Sequence, residues 1–553
     1  MIPSLSVTLA LALVTPQEPR VGSDVVSVQH LLAAPPSVPA PLWDTLLVEE
    51  GGQSCLLAAA RELAPGRLLE PLQALNRDAL DAGRLLLNLA SGNLLLAGTE
   101  PDLARVRTQV QLLSRTLTRS VQIELTVWDA TDRATPACVL DAAAYAAFAQ
   151  NRPQLWRVVG TTADGQTLPL SRLRWTSYVR SINGEVAQKA TISDPVLDRF
   201  AEGVQAIVRP FAISGADEFV LHSQFALAQR RGIVRQLQTG VAGAPDIEIP
   251  TLETSRAACS ARLPNGGAMA ITLRGHAALG GQVVITVRAS AAPLATTADR
   301  EFAVFPCGAL TDRSLLRENE SVDANGQKVA AAAASCGSIP EELLADLVAA
   351  AIGEGGGSHF LLPGHVIVRG DSATQGRVAS LLRSLQDRVL RTVTVTVTGA
   401  LPIPNSEDPA PASTTAPILH ELAAPTLLGR ELRLARLLET NVVRDLEVQI
   451  AQDASMIVPI VDALQVGTWV NALAGPAEGT LLLDLELRCC HAAASTARNI
   501  MPNGVITPTD VNGTMVSHRG LVTNGQPIDH GDGPMLPVEG RSWRSSMQTT
   551  LRW

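Results

Sequence analysis

A stretch of about 36 residues occurs twice in this chain, and a repeat constrains a fold more tightly than any single motif, because both copies must satisfy one local design. With Gly92 set on Gly364, no gap is needed from there to Val127 on Gly399. Eight of those 36 positions are identical: Gly92, Gly98, Arg105, Val106, Leu113, Arg119, Val121 and Thr126. Composition alone predicts about two. The apolar pattern repeats further than the identities do. Leu94–Leu96 and Val366–Val368 are short apolar runs between glycines, the pattern of buried strands entered by a tight turn. Between Glu100 and Arg115, Leu103, Val106, Val110 and Leu113 recur at helical spacing and share one face. Val378, Leu381, Leu382 and Leu385 are the counterparts in the second copy.

Each copy closes on an alternating run. Val121, Ile123, Leu125 and Val127 fall on one side of the first, and Val393, Val395 and Val397 on one side of the second, with threonines between. Helices over Leu68–Ala82 and Pro340–Ile352 precede the two units. The unit therefore reads as helix, hairpin, helix, strand: an α+β module with a helix layer over a sheet. Burial is expected at Val106, Leu113, Val121 and Ile123, and at Val378, Leu385, Val393 and Val395. The Val/Thr run from Thr392 to Thr398 has one apolar and one uncharged face. It suits either the centre of its own module's sheet or a surface approached by a neighbouring chain, in which case Thr394→Lys and Thr396→Lys dissociate an assembly.

A second ungapped match follows the first. Val186–Pro210 lies on Ile450–Ala474, with Ala187, Gln188, Ala190, Pro195, Asp198 and Gly203 recurring as Ala451, Gln452, Ala454, Pro459, Asp462 and Gly467. The reading that follows is a tandem duplication with these bounds: 21–67 a Pro-rich arm, 68–128 the first module, 129–320 a β-rich core, 321–400 the second module, 401–424 a Pro-rich linker, and 425–553 a second β-rich core. Within them, Ala142–Ala149 reads as a short helix, and Trp156–Val159, Val283–Val287 and Glu301–Phe305 as strands. Turns are signalled at Asn183-Gly184, Ser214-Gly215 and Asn265-Gly266, the last as a hairpin joining Cys259–Leu263 to Ala268–Leu273. The segment from Asn503 to Pro534 reads as a long loop, and Ser545–Trp553 as the closing strand. Residues 1–20 hold the apolar run Leu5–Val14, which fits an export signal or a buried strand.

The order of these parts resembles the secretins, the ring-forming outer-membrane proteins of type II and type III secretion and type IV pilus systems. The residues that carry the resemblance are Val121-Gln-Ile-Glu124 at the end of the module, then Pro195, Gly203, Ile249-Pro250, Arg256 and Gly266-Gly267 in the core. The second copy repeats it with Pro459, Gly467, Leu536-Pro537 and Arg541. Only seven residues separate Pro195 from Gly203. The resemblance implies two copies of a secretin N-module, each followed by a mostly β secretin-like core, in a protein that self-associates in the cell envelope, periplasm or outer membrane. It implies homo-oligomers, with other secretion or pilus components as partners. The alternative is a soluble periplasmic binding or scaffold protein that keeps the fold without a ring or channel.

Composition narrows the remaining function classes. A net charge of −9 leaves no basic footprint for nucleic acid. The seven cysteines form no C-x-x-C pair, so neither zinc nor a disulfide framework is indicated; isolated buried thiols are expected, with Cys307 and Cys336 the one pair to check. Asp529-His530-Gly531-Asp532 has ligand types for a metal, but a solvated turn is the simpler reading. Gly353–Ser358 lacks the Lys-Ser/Thr of a phosphate loop and reads as a connector. His222, His276 and His365 have no partner in sequence. No catalytic, cofactor or metal site is assigned, and no enzyme activity is expected.

Overall fold

The computed structural model describes residues 21–32, 63–130, 136–150, 152–187, 190–236, 247–274, 282–292, 301–315, 320–322, 328–330, 338–354, 357–400, 418–451, 454–477, 479–492, 498–501, 504–506, 511–538 and 541–553. The protein is α+β and mostly β. A module with helices over a small sheet, followed by a β-rich core, occurs twice along the chain.

The first module comprises β1 (Val21–Ser27), α1 (Pro65–Leu75), α2 (Arg77–Asp81), β2 (Leu85–Ala90), β3 (Asn93–Thr99) and α3 (Glu100–Leu117). Its sheet runs β1-β3-β2, so the start of the expected arm is a strand. Val25 pairs with Leu95 there. Leu103, Val106, Val110 and Leu113 seal the helix layer onto Leu85, Leu94 and Leu96.

The first core follows as β4 (Ser120–Asp129), β5 (Val139–Leu140), α4 (Ala142–Ala149), β6 (Gln154–Ala163), β7 (Leu168–Ala187), β8 (Ala190–Ala212), β9 (Glu218–Gln236), β10 (Ile247–Pro264), β11 (Ala268–Arg274) and β12 (Gln282–Ala291). The second module holds β13 (Phe302–Pro306), α5 (Gly308–Thr311), the small pair β14 (Glu320–Val322) and β15 (Lys328–Ala330), α6 (Glu341–Ile352), β16 (Ser358–Leu362), β17 (His365–Arg369) and α7 (Ser372–Val389). Its sheet is β13-β17-β16, with Val304 on Ile367 as Val25 is on Leu95. The second module thus begins at Phe302, within the span the sequence assigned to the first core.

The second core comprises β18 (Thr392–Ala400), β19 (Ile418–Leu427), β20 (Glu431–Ala451), β21 (Ala454–Ala477), β22 (Thr480–Ala492), the small pair β23 (Arg498–Met501) and β24 (Gly504–Ile506), β25 (Val511–Val522), β26 (Pro527–Val538) and β27 (Arg541–Arg552). Two expectations fail here. Residues 418–424, taken as linker, begin β19, and most of the expected loop from Asn503 to Pro534 is β25 and β26, because backbone pairing overrides a Gly/Asn/Pro-rich composition.

The cores merge into two antiparallel layers. One has eight strands in the order β25-β22-β21-β20-β10-β9-β8-β7, and will be called the wall. The other runs β26-β27-β18-β19-β11-β12-β4-β6, with β5 alongside β11. Alternate residues of each layer point inward and form one core: Val121, Ile123, Leu125 and Val127 meet Val283, Ile285 and Val287 from one layer, and Val204, Phe225, Leu434 and Leu485 from the other. The outer face of the second layer is covered by α4, where Trp128 meets Phe148 edge-on at 5.7 Å.

The layers correct three readings. β4 and β18 leave their modules and enter the second layer, so they are core strands. Asn265-Gly266-Gly267 makes no hairpin: β10 belongs to the wall and β11 to the other layer, and the turn is the corner between them. A Cβ on Gly267 would sit 2.7 Å from the Leu140 carbonyl oxygen, and this close approach is what the glycine provides. Asn183-Gly184 is no turn either; it continues β7, paired to Asp194 and Ser193 of β8. Pro195 and Gly203 lie on that same 23-residue strand.

Candidate assembly interface

The two cores are joined by strand pairing in both layers at once. In the wall, β10 lies on β20 from Thr251↔Thr440 to Ala258↔Arg433. In the second layer, β11 lies on β19 from Thr272↔Ala423 to Arg274↔Glu421. Nearly every residue of the wall joint is buried: Leu252–Ser255 and Ala257–Ala258 on β10, Leu434–Leu437 on β20.

The joint carries buried charge. Glu253 is 2% exposed and holds Arg436, which is equally buried, together with the half-exposed Arg231. Arg436 also donates from Nη1 to Ser255 Oγ at 2.9 Å. Burial draws the Arg436 guanidinium below its usual range, and the Glu253 carboxylate works against that. One step along, Thr254 donates to Glu439 Oε1 at 2.8 Å. Burial pushes the Glu439 carboxyl up to about 7, more than Thr254 and Arg256 can offset.

A second charged cluster fixes module two to the first core. Asp312, just past α5, faces Arg209 of β8 at 3.0 Å and His222 of β9 at 3.5 Å. Arg430 donates to the Asp312 carbonyl oxygen at 2.6 Å and also to the Ser314 carbonyl. Burial alone would raise the Asp312 carboxyl, but the pull of His222, Arg430 and Arg209 outweighs it and holds the group low. Burial also lowers His222 to about 3, so at neutral pH the two guanidiniums do this work. His365 of β17 reaches Asp164 at 3.6 Å. Burial lowers the imidazole and raises the carboxyl, which favours the neutral form of each. These partners stand at sequence separations that no local pattern discloses, which is why His222 and His365 looked unpaired.

The far flanks of the two layers carry no further strand among the described residues, although the distal part of β7 meets β10, where the Val179 N–H donates to Glu248 Oε2 at 3.1 Å. β7 and β25 end the wall; β6 and β26 end the other layer. Large apolar side chains stand out on three of these strands: Val159 on β6, Trp175 on β7, Met515 and Leu521 on β25. β18, by contrast, is paired on both sides, by β19 and β27. Its Val/Thr run therefore offers no edge to a neighbour, and Thr394 and Thr396 are half-buried.

The other sequence candidates disperse. His530 accepts from or donates to Thr549 Oγ1 at 2.9 Å, and among the described residues no three His, Cys, Asp or Glu side chains gather as a metal set. Cys138, Cys259, Cys307 and Cys489 are buried free thiols, and Cys490 is half-buried. Cys55, Cys336 and His276 lie outside the described residues, as do residues 1–20 and 401–417. Gly353, at φ +77, ends α6. A shallow hollow beside β10 is lined in part by Glu218, Arg262 and Arg391, but the Arg262 guanidinium is already held by Glu218 and Asp387. Among the described residues no helix is long and apolar enough to cross a membrane; that says nothing of strands. Of the late core motif, Ile249-Pro250 and Arg256 lie on β10 in the wall, whereas Leu536-Pro537 and Arg541 lie on β26 and β27 in the other layer, so they are not counterparts.

No family model matches the chain, and no curated protein matches it. Solved structures do. The β-barrel of the InvG secretin domain from the Salmonella SPI-1 injectisome is 12% identical over 51% of this chain and 91% of that one, with a TM-score of 0.21. The Klebsiella pneumoniae type II secretion outer-membrane complex of PulD, PulS and the PulC HR domain is 11% identical over 96% of this chain and 74% of that one, at 0.17. The type II secretin GspD of E. coli K12 is 9% identical over 97% and 88%, at 0.15. Superpositions this loose carry no argument about this chain.

Proposed function

We propose that the protein is a secretin-like structural component of the cell envelope, built as two tandem copies of one module-and-core unit and working by self-association rather than catalysis. The observation that carries this is the pair of layers running unbroken across both cores, which makes the chain a segment of a double-layered β wall. The duplication is supported by geometry. Gly203 and Gly467 sit opposite Leu173 and Leu437 in matching registers, at φ +126 and +144. In each, a Cβ would run into a carbonyl oxygen, that of Arg172 or Arg436. A wall segment with unpaired ends is stable against indiscriminate aggregation once those ends are filled.

The reading assigns the protein to a secretion-related assembly in the periplasm or outer membrane, with homo-oligomers as its working form. Light scattering on the full-length protein from the membrane fraction tests it. A particle many times the 58.2 kDa chain mass is expected, and a monomer recovered in the soluble fraction contradicts the proposal.

A further inference from the structure

We infer that chains join head to tail through the two open flanks, β25 and β26 of one chain meeting β7 and β6 of the next, in the register of the joint already closed inside each chain. This rests on the self-association proposed above and specifies its surface and partner: a second copy of this chain.

The template is internal. Pairing outward from Gly203, Ala228 lies beside it on β9, and Thr254 beside Ala228 on β10. Pairing outward from Gly467, Cys490 lies beside it on β22, and Gly513 beside Cys490 on β25. β25 is thus the counterpart of β10, and β7 that of β20. Inside the chain, Thr254 faces Leu437. Carried across, Gly513 faces Leu173 of the next chain, Met515 faces Ser171 and Ser517 faces Pro169. The second layer agrees independently. Thr126 pairs with Arg157 as Thr398 pairs with Glu421, so β6 is the counterpart of β19. β4 and β18 pair in turn with β12 and β27, which makes β26 the counterpart of β11. Both layers therefore lack the same joint on the same two flanks.

Burial marks what is unfilled. Ala435–Leu437 of β20 are all buried, whereas their counterparts Ser171 and Arg172 on β7 are exposed and Leu173 half-exposed; Leu170, the counterpart of Leu434, is buried like it. On β25, Met515 is 62% and Leu521 68% exposed, and Trp175 on β7 is 47% exposed. A long strand edge with such side chains is a template for another strand. Because the two flanks differ, the contact is heterologous. It repeats from chain to chain and closes into a ring when the rotation per chain allows. Each chain then supplies two wall units, eight wall strands, and only every second joint is made between chains.

The test uses full-length chains carrying single cysteines, Met515→Cys on one and Ser171→Cys on the other, co-expressed and oxidised mildly. Directly opposed residues bring their Cα atoms within disulfide range, and both sites are exposed, so neither change disturbs packing. A covalent dimer is expected from the mixed chains, and a ladder from the doubly substituted chain. Met515→Cys with Arg172→Cys is the control: neighbouring residues on a strand face opposite sides, so that pair should stay reduced. Absence of the dimer, equal cross-linking of the control, or a disulfide confined within single chains overturns the inference. If scattering still finds a large particle, self-association stands and only this joint fails; a monomer removes both. On the unmodified protein, hydrogen exchange gives a second reading. Amides of Leu168–Trp175 and Met515–Val522 should be protected in the particle as those of β10 and β20 are, and solvent-like exchange there also overturns the inference.

Discussion

Replacing Glu253 by Gln tests whether the internal joint is held as described. The substitution keeps volume and shape but removes the carboxylate that meets Arg436 diagonally across the pairing of β10 and β20. Arg436 and Glu253 are both 2% exposed, so the loss leaves the guanidinium buried without this carboxylate, while its hydrogen bond to Ser255 stays. Breaking such a buried pair from one side costs about 3–5 kcal/mol. Arg231 is 41% exposed and adds no more than about 1 kcal/mol after solvent screening. A chain of several domains does not unfold in one step, so the local opening of the joint is the quantity to measure, by hydrogen exchange on β10 and β20 amides. A penalty of that size speeds exchange there by roughly two to three and a half orders of magnitude. Replacing Arg436 by Met as well should restore most of the protection, since the uncompensated buried guanidinium is then gone. If Glu253→Gln speeds exchange less than about tenfold, equivalent to 1.4 kcal/mol, the buried pair does not hold the joint and the argument fails.

Three further outcomes follow from the same geometry. Glu439, raised by burial from 4.5 to about 7, is protonated more readily folded than unfolded. Its contribution to stability is therefore greatest below pH 4.5 and falls by about 3 kcal/mol as pH rises to 7; Glu439→Gln should remove that contribution from a pH series of denaturation midpoints, and an unchanged slope would show that Glu439 is not its source. Gly203→Ala and Gly467→Ala each force a side chain into a backbone region that disfavours it, at about 1–3 kcal/mol, besides the carbonyl clash. Both should lower the melting temperature, and tolerance at either site contradicts the matched geometry. Ile123→Ala, at a fully buried site between the layers, should cost about 2–5 kcal/mol, and a loss under half a kcal/mol would mean the two layers do not pack there.

The helices and the hairpins of the two modules were legible because their signals are local. Val106, Leu113, Val121 and Ile123 are all buried, as are Val378, Val393 and Val395. Leu385 is only half-buried, because Gln386 and Leu382 take the inward positions on α7. The two-residue turns were legible too: Ser91-Gly92 has positive φ at both positions, while Pro363-Gly364 has it only at the glycine, as proline at the first position requires. What local pattern could not disclose was which sheet a strand joins. Nothing near Ser120 or Thr392 in sequence says that β4 and β18 pair with β12 and β27, more than a hundred residues away. The joint was hidden for the same reason. Glu253 and Arg436 are ordinary strand residues until the register sets them diagonally across the joint.

In the proposed assembly one chain supplies two wall units, and the missing joint lies between chains. Counting both in one particle tests it most directly: native mass gives the number of chains, and end-on electron-microscopy averages give the number of wall units around the ring. Two wall units are expected for every chain, with joints made within a chain alternating with joints made between chains. One unit per chain, or a wall that closes within a single chain, would contradict it.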